Sequence, residues 1–323
     1  MTRIRPVGFL LCALLAVAVR LQAQAGPPFR TDDPETPGNR RWEINFGFLG
    51  ERNPGAGSYQ LPDFDINYGL GDRIQLKYEL PIALQETRPQ PQQPGSVAVA
   101  LGDSLLGIKW RFYEHTPKGS WKGGFGTGLT RLGSPAGEHI VDFSVSTYPQ
   151  LSLSNPTGAV ERGVVEPGPV FLLPVEANWR LGPLRFDTEI GYSFGNSSVP
   201  QHWIRGLMVG HEFSEQTEAY LELYDQQDAS RIATGRGVGP FVTGEPKQRD
   251  TTLGIGGRQA LNRHRSLNLL LMGGRSFQSV TASNSQPSWI AYVGLQLLLG
   301  PAEAEPKPEP AKLLTPAERT SDR

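Results

Sequence analysis

The chain of 323 residues carries a single cysteine, Cys12, placed in an apolar stretch at the N-terminal end. Once that stretch is removed, neither a disulfide nor a thiolate metal site can form. Beyond residue 25 no run of about 18 apolar residues occurs, so a membrane-spanning helix is excluded from the rest of the chain. Charge of one sign is also lacking. The 31 Lys and Arg nearly balance 32 Asp and Glu, and without a basic stripe nucleic acid is a poor partner. Hydrophobic residues make up only 38% of the chain, and mean hydropathy is −0.34. Glycine and proline are plentiful, at 38 and 28 residues. Both exceed the ordinary shares of about 7% and 5%, which works against long helices.

The first 25 residues read as a signal rather than as structure. Arg3 and Arg5 precede the apolar run Val7 to Val19, and Ala23-Gln24-Ala25 is a small-x-small cleavage site. This is the pattern of a Sec-type secretory signal peptide cut before Gly26. Cys12 lies inside the apolar run and not after it, which argues against a lipoprotein anchor. The remaining chain has a net charge of about −4, since three signal arginines leave with no acid. An exported, cysteine-free, glycine-rich chain points to the periplasm or outer membrane of a Gram-negative cell.

From Trp42 to Leu299 apolar and polar residues alternate with a period of two. Trp42, Ile44, Phe46 and Phe48 alternate with Glu43, Asn45 and Gly47. Ala219, Leu221 and Leu223 oppose Glu218, Tyr220 and Glu222. Residues two apart share a strand face, so each segment has one apolar and one polar face. A soluble sandwich and a membrane barrel both produce this pattern. Three features favour the barrel. The segments run to around ten residues, the length a tilted membrane strand needs. Aromatics such as Trp42, Trp110, Trp179, Trp203 and Trp289 sit near segment ends, as interfacial girdles do. Short connections (Leu70–Asp72, Leu181–Pro183, Ser214–Gln216, Leu261–Arg265) alternate with long ones (Glu86–Val99, Asn155–Pro167, Gln226–Lys247, Gln278–Ser288).

The expected fold is all-β, an antiparallel transmembrane barrel of about twelve strands, an even number as bacterial barrels require. The strands begin near residues 40, 59, 73, 103, 139, 169, 184, 202, 217, 250, 265 and 288. Residues 1–25 are the signal peptide, 26–300 the barrel, and 301–323 a disordered periplasmic tail rich in Pro, Glu, Lys and Ala. With both termini in the periplasm, the long loops lie outside the cell. Thr116–Glu138 resists this scheme, being long where a short turn is due. In Gln201–Phe213 the face is ambiguous, because Arg205 and His211 share parity with Leu207 and Val209.

Parity places an inward set of charges. Lys77, Glu79, Lys109, Arg111, Glu176, Arg180, Arg185, Asp187, Glu189, Glu218, Glu222 and Arg258 are the candidates for lumen and constriction. Such charges must be paired or hydrated in a narrow barrel. Glu189 and Glu222 fall near mid-strand, with Arg111, Arg180 and Arg185 as the cations expected to oppose them. In the last strand Tyr292, Gly294, Leu297 and Leu299 fit the spacing that barrel-assembly machinery reads, although the usual terminal Phe is missing.

Phe29-Arg30-Thr31-Asp32-Asp33-Pro34-Glu35 followed by Trp42-Glu43 resembles the mature start of the family named for the MetA pathway of phenol degradation. Leu61-Pro62-Asp63-Phe64-Asp65-Ile66-Asn67-Tyr68-Gly69, and Gly107-Ile108-Lys109-Trp110-Arg111-Phe112 after Gly102-Asp103, are similar to that family's next strands. The resemblance implies an outer-membrane β-barrel, often named a transporter, and small aromatic or hydrophobic solutes. It supplies no catalytic residue.

Other motifs weigh little. Gly191-Tyr192-Ser193-Phe194-Gly195 matches the G-x-S-x-G string of serine hydrolases but lacks the helix that the strand-to-helix elbow requires. Pairing of Ser193 with His202 would suit a lipid hydrolase of the outer wall, a rival reading that requires geometry first. Asp32, Asp33 and Glu35 form an acidic cluster without the glycine spacing of a calcium loop. A solvated lead-in or a plug latch suits them better. Gly254, Gly256 and Gly257 lie within a strand, so close backbone packing fits better than a nucleotide loop. The leading expectation is a passive channel, with no enzyme activity, no metal and no cofactor. Its partners are outer-membrane lipid, the assembly machinery and a small solute. A non-conducting structural barrel is the other alternative.

Overall fold

In the computed structural model the described residues are 27–89, 94–116, 119–122, 141–165, 167–195, 201–228, 249–279 and 287–301. The stretch expected to be a signal peptide and nearly all of the expected tail lie outside them. The strand segments are β1 (Trp42–Arg52), β2 (Ala56–Leu70), β3 (Ile74–Thr87), β4 (Ser96–Leu101), β5 (Ser104–Thr116), β6 (Gly119–Lys122), β7 (Val141–Thr147), β8 (Gln150–Leu153), β9 (Val170–Leu181), β10 (Leu184–Phe194), β11 (His202–Ser214), β12 (Thr217–Asp228), β13 (Arg249–Ala260), β14 (Leu267–Ser279) and β15 (Ser288–Leu299).

All pair antiparallel with their neighbours, and β1 pairs with β15 from Trp42↔Leu299 to Arg52↔Trp289, which closes the sheet. The outer half of β3 pairs with β4 and its inner half with β5, so β4 and β5 form one wall strand broken at Gly102-Asp103. Likewise β7 and β8 both pair with β5 and β9 and are one strand interrupted at Tyr148-Pro149. Proline has no N–H for the ladder. The Pro149 carbonyl still accepts from Ile108 N–H at 3.0 Å, which bridges the gap. The result is a closed barrel of twelve strands, the number the alternation indicates. The β6 segment lengthens the end of β5 as a short hairpin from Tyr113↔Lys122 to Thr116↔Gly119. It accounts for the start of the stretch that resisted the scheme, and residues 123–138 lie outside the described residues.

The barrel is inside out relative to a soluble protein. In β15 Trp289, Val293, Leu295, Leu297 and Leu299 are exposed, while Ser288, Tyr292 and Gln296 are buried. Across the wall the exposed residues are apolar and the buried ones are largely Asp, Glu, Lys, Arg, Asn and Ser. This follows when the apolar face meets hydrocarbon and the polar face meets the lumen. β11 resolves its ambiguity the same way: Trp203, Leu207 and Phe213 are exposed, Ile204 and Met208 buried. Arg205 therefore lies on the outer wall, near the long-loop end, paired with Asp225 at 3.1 Å.

Candidate functional site

Residues 27–41 turn back into the lumen. Arg40 N–H donates to the Gly69 carbonyl, and Gly69 N–H donates to the Arg41 carbonyl, both at 2.9 Å, which fixes the segment at the short-turn rim. From there it runs toward the long-loop end. Thr36 Oγ1 donates to the Asp72 carbonyl at 2.9 Å, and Asn39 N–H to Asp72 Oδ1 at 3.2 Å. Deeper in, Glu35 meets Arg180 at 3.0 Å and Arg185 at 3.7 Å. Asp33 is ion-paired to Arg185. Asp32 meets Lys109 Nζ at 2.7 Å, and the Asp33 carbonyl accepts from the same ammonium. At the far end Arg30 lies between Glu51 at 3.4 Å and Asp250 at 3.3 Å, with its guanidinium 5.6 Å from the Tyr224 ring centre. Phe29 packs among Met208, Tyr220, Leu270, Met272, Ile290 and Tyr292.

The acidic cluster before the first strand is thus a plug latch rather than a solvated lead-in. Its three carboxylates meet three wall cations, and mid-lumen Thr31, Asp33, Lys109, Glu176 and Glu222 are wholly or almost wholly buried. A charge buried alone is costly, so complementary charge along both partners holds the segment in one register. Gly206 makes the fit possible. A Cβ there would come 3.0 Å from the Thr31 Cβ and closer still to its hydroxyl, so the chain passes β11 only where the wall has no side chain.

Of the charges placed inward by parity, Lys109, Arg111, Glu176, Arg185, Asp187, Glu189, Glu222 and Arg258 are buried and Lys77, Glu79, Arg180 and Glu218 are half-buried, but the partners differ from those expected. Glu189 and Glu222 do not oppose Arg111, Arg180 and Arg185. Glu222 accepts from Thr31 N–H at 2.6 Å, and Glu189 accepts from Asp32 N–H at 3.1 Å. The segment's own carboxylates take Arg180 and Arg185, which leaves these glutamates to satisfy backbone donors that no ladder pairs. Arg111 donates to the Asp72 carbonyl at 2.7 Å and lies 3.6 Å from Glu114. A bulge between Arg111 and Tyr113 sets Glu114 on the inner face beside it. Lys109 also meets Glu176 at 3.6 Å, and Asp187 meets Arg185 at 2.8 Å. Two groups stand apart from the segment: Lys77 with Glu79 at 2.8 Å and Asp65 at 3.4 Å, and Arg258 with Glu218 at 3.1 Å.

Parity could not reveal Phe29, Arg30 or Thr31 as parts of the site, because the segment has no alternation of its own, and Gly206 of β11 has no side chain to mark its place. In β15 Tyr292 points inward over Gly47 and Gly294, where any Cβ would strike its ring, so the glycine of the assembly spacing makes room for the aromatic. Leu297 and Leu299 face outward. Ser193 also faces the lumen, in register with His202, and its hydroxyl finds no hydrogen-bond partner among the described residues. It is on the wrong side of the wall for a hydrolase of membrane lipid. Gly256 and Gly257 lie where a Cβ would strike the carbonyls of Leu271 and Glu218, which is close backbone packing.

Comparison with solved structures finds the same fold. The chain is similar to an outer-membrane channel from Pseudomonas putida F1, with a TM-score of 0.55, 13% identity, and coverage of 85% of this chain and 100% of that one. It is less similar to the NanC porin, with a TM-score of 0.44, 7% identity, and coverage of 79% and 98%. The CymD monoaromatic hydrocarbon channel gives a TM-score of 0.39, 7% identity, and coverage of 82% and 90%. No family model matches the chain, and no curated protein matches it.

Proposed function

We propose that the protein is a passive outer-membrane channel for small molecules, held shut by its own N-terminal segment. The observation that carries this reading is the segment itself. A barrel meant only as a structural wall needs no chain threaded through it on ion pairs. Strand ladders hold the wall, whereas the segment is joined to it almost wholly by side chains, which can separate without breaking a strand. The apolar outer belt suits a bilayer. Similarity to the Pseudomonas putida channel supports the outer-membrane reading, and the resemblance to the MetA-pathway family supports small aromatic or hydrophobic solutes. No covalent step is part of the proposal.

Planar-bilayer recording tests it. The full chain is expected to conduct little. Asp33→Asn together with Glu35→Gln removes two of the three latch charges and is expected to raise the open fraction at least tenfold. A folded double variant as silent as its parent would favour the structural barrel.

A further inference from the structure

We infer that the N-terminal segment sits in a solute site: the apolar pocket filled by Phe29 and the cations held by Asp33 and Glu35 together form a binding site for organic anions with an aromatic ring at one end and a carboxylate at the other. This rests on the channel reading and names its solute class.

The apolar half of the site is unusual for its place. Inward positions of this barrel are mostly polar, yet Met208 of β11, Leu270 and Met272 of β14, and Ile290 of β15 all turn aliphatic side chains into the lumen. These residues take no part in holding the ladders, which are backbone bonds. In a wet lumen they would expose apolar surface, and only an apolar occupant repays that. Phe29 is that occupant. Its ring meets Tyr220 edge-on, with centroids 5.5 Å apart and planes at 62°.

The polar half lies on β5, β9 and β10. Lys109, Arg180 and Arg185 converge on Asp32, Asp33 and Glu35. Without the segment Lys109 still faces Glu176, with Glu189 nearby, whereas Arg180 and Arg185 lose Asp33 and Glu35 and keep Asp187. An anion placed there replaces the carboxylates that left. Guanidinium groups suit a carboxylate in particular, because their fork matches its two oxygens. Tyr220 joins the halves: its ring packs on Phe29, and its hydroxyl donates to Glu218, the partner of Arg258.

Spacing narrows the ligand. Phe29 and Asp33 are four residues apart in sequence, at most about 14 Å between α-carbons when extended. A phenyl ring and a carboxylate joined by several methylenes lie within that limit. The segment's Phe-to-Asp span is a covalently tethered version of such a molecule. A free ligand must displace it, so apparent affinity falls by the fraction of time the segment is away.

The test is a calorimetric titration of the purified full chain with 6-phenylhexanoate, hexanoate, toluene and the neutral 6-phenylhexanol. Asp33→Asn/Glu35→Gln should bind 6-phenylhexanoate at least tenfold more tightly than the parent does. It should also prefer that ligand at least tenfold over each of the other three. Adding Arg185→Gln should remove that preference over 6-phenylhexanol. Equal binding of hexanoate would overturn the aromatic half, and equal binding of 6-phenylhexanol the cationic half. Should the double variant fail to fold, Phe29→Ala serves instead: it keeps the ion pairs and opens the apolar pocket, so toluene must bind it more tightly than the parent, or the proposal falls. Binding without conductance would keep the site and discard the channel. Conductance without binding would discard the site alone.

Discussion

Lys109 shows what a charge requires inside this barrel. It is fully buried, and it meets Asp32 at 2.7 Å, Glu176 at 3.6 Å and the Tyr148 ring at 4.6 Å from its centre. Replacing one member of such a set leaves its partners buried and unpaired, at a cost of about 3–5 kcal/mol. Lys109→Met is therefore expected to lower stability by that order in urea unfolding from detergent. Lys109→Met/Glu176→Gln should recover part of it, because one stranded carboxylate is gone. With Glu176→Gln measured alone as well, a double-variant loss equal to the sum of the two single losses would show that the ammonium and Glu176 are not coupled. On the opposite face the penalty has another origin. Leu295 is 43% exposed toward hydrocarbon. Leu295→Arg should cost about 2–4 kcal/mol at mid-membrane depth and lose the folded band in unheated gels, whereas Leu295→Phe should keep it. Sequence alone assigned both faces, since parity within a strand decides which way a side chain points. It could not assign partners. Lys109 and Asp32 are 77 positions apart, and no local rule relates them.

At the scale of elements, the strands were readable because each has one face for lipid and one for the lumen, and a slip of one residue would reverse both. Reading failed where the ladder is broken. Gly102-Asp103 splits one wall strand and Tyr148-Pro149 another, and neither break disturbs the apolar parity enough to be seen. The N-terminal segment was hidden for a different reason: it forms no ladder, so it carries no period. Its acidic cluster was visible, but three carboxylates before a strand fit a solvated lead-in as well as a latch. Gly206 gives access to this element without touching a charge. Gly206→Leu places a side chain where Thr31 passes, and the segment must give way because the wall is held by the pairing of β11 with β10 and β12. With Thr31→Cys as reporter, maleimide labelling is expected to be slow with Gly206 and at least tenfold faster in Gly206→Leu, with the heat-modifiable band retained in both. Equal labelling rates would mean that the segment passes β11 elsewhere.

The whole molecule is a two-state device if the segment can leave, and ionic strength should tell the states apart. In the closed state the latch pairs are buried, with Asp33 and Lys109 both wholly inaccessible, so dissolved salt screens them little. In the open state Lys109, Arg180 and Arg185 face a wet lumen and the segment's acids face solvent. These separated charges gain counterions as salt rises, and the screening length falls from about 10 Å at 0.1 M to about 3 Å at 1 M. Salt therefore stabilises the open state and leaves the closed one nearly unchanged, so the open fraction must increase with concentration. Bilayer recordings between 0.1 M and 1 M KCl are expected to show mean conductance rising more steeply than the conductivity of the electrolyte. In Asp33→Asn/Glu35→Gln, with two latch charges gone, the curve should follow conductivity more closely. Proportional curves for both proteins would mean that ion pairs do not hold the segment, and the burial of Phe29 against Met208 and Tyr220 would then be left as its principal anchor.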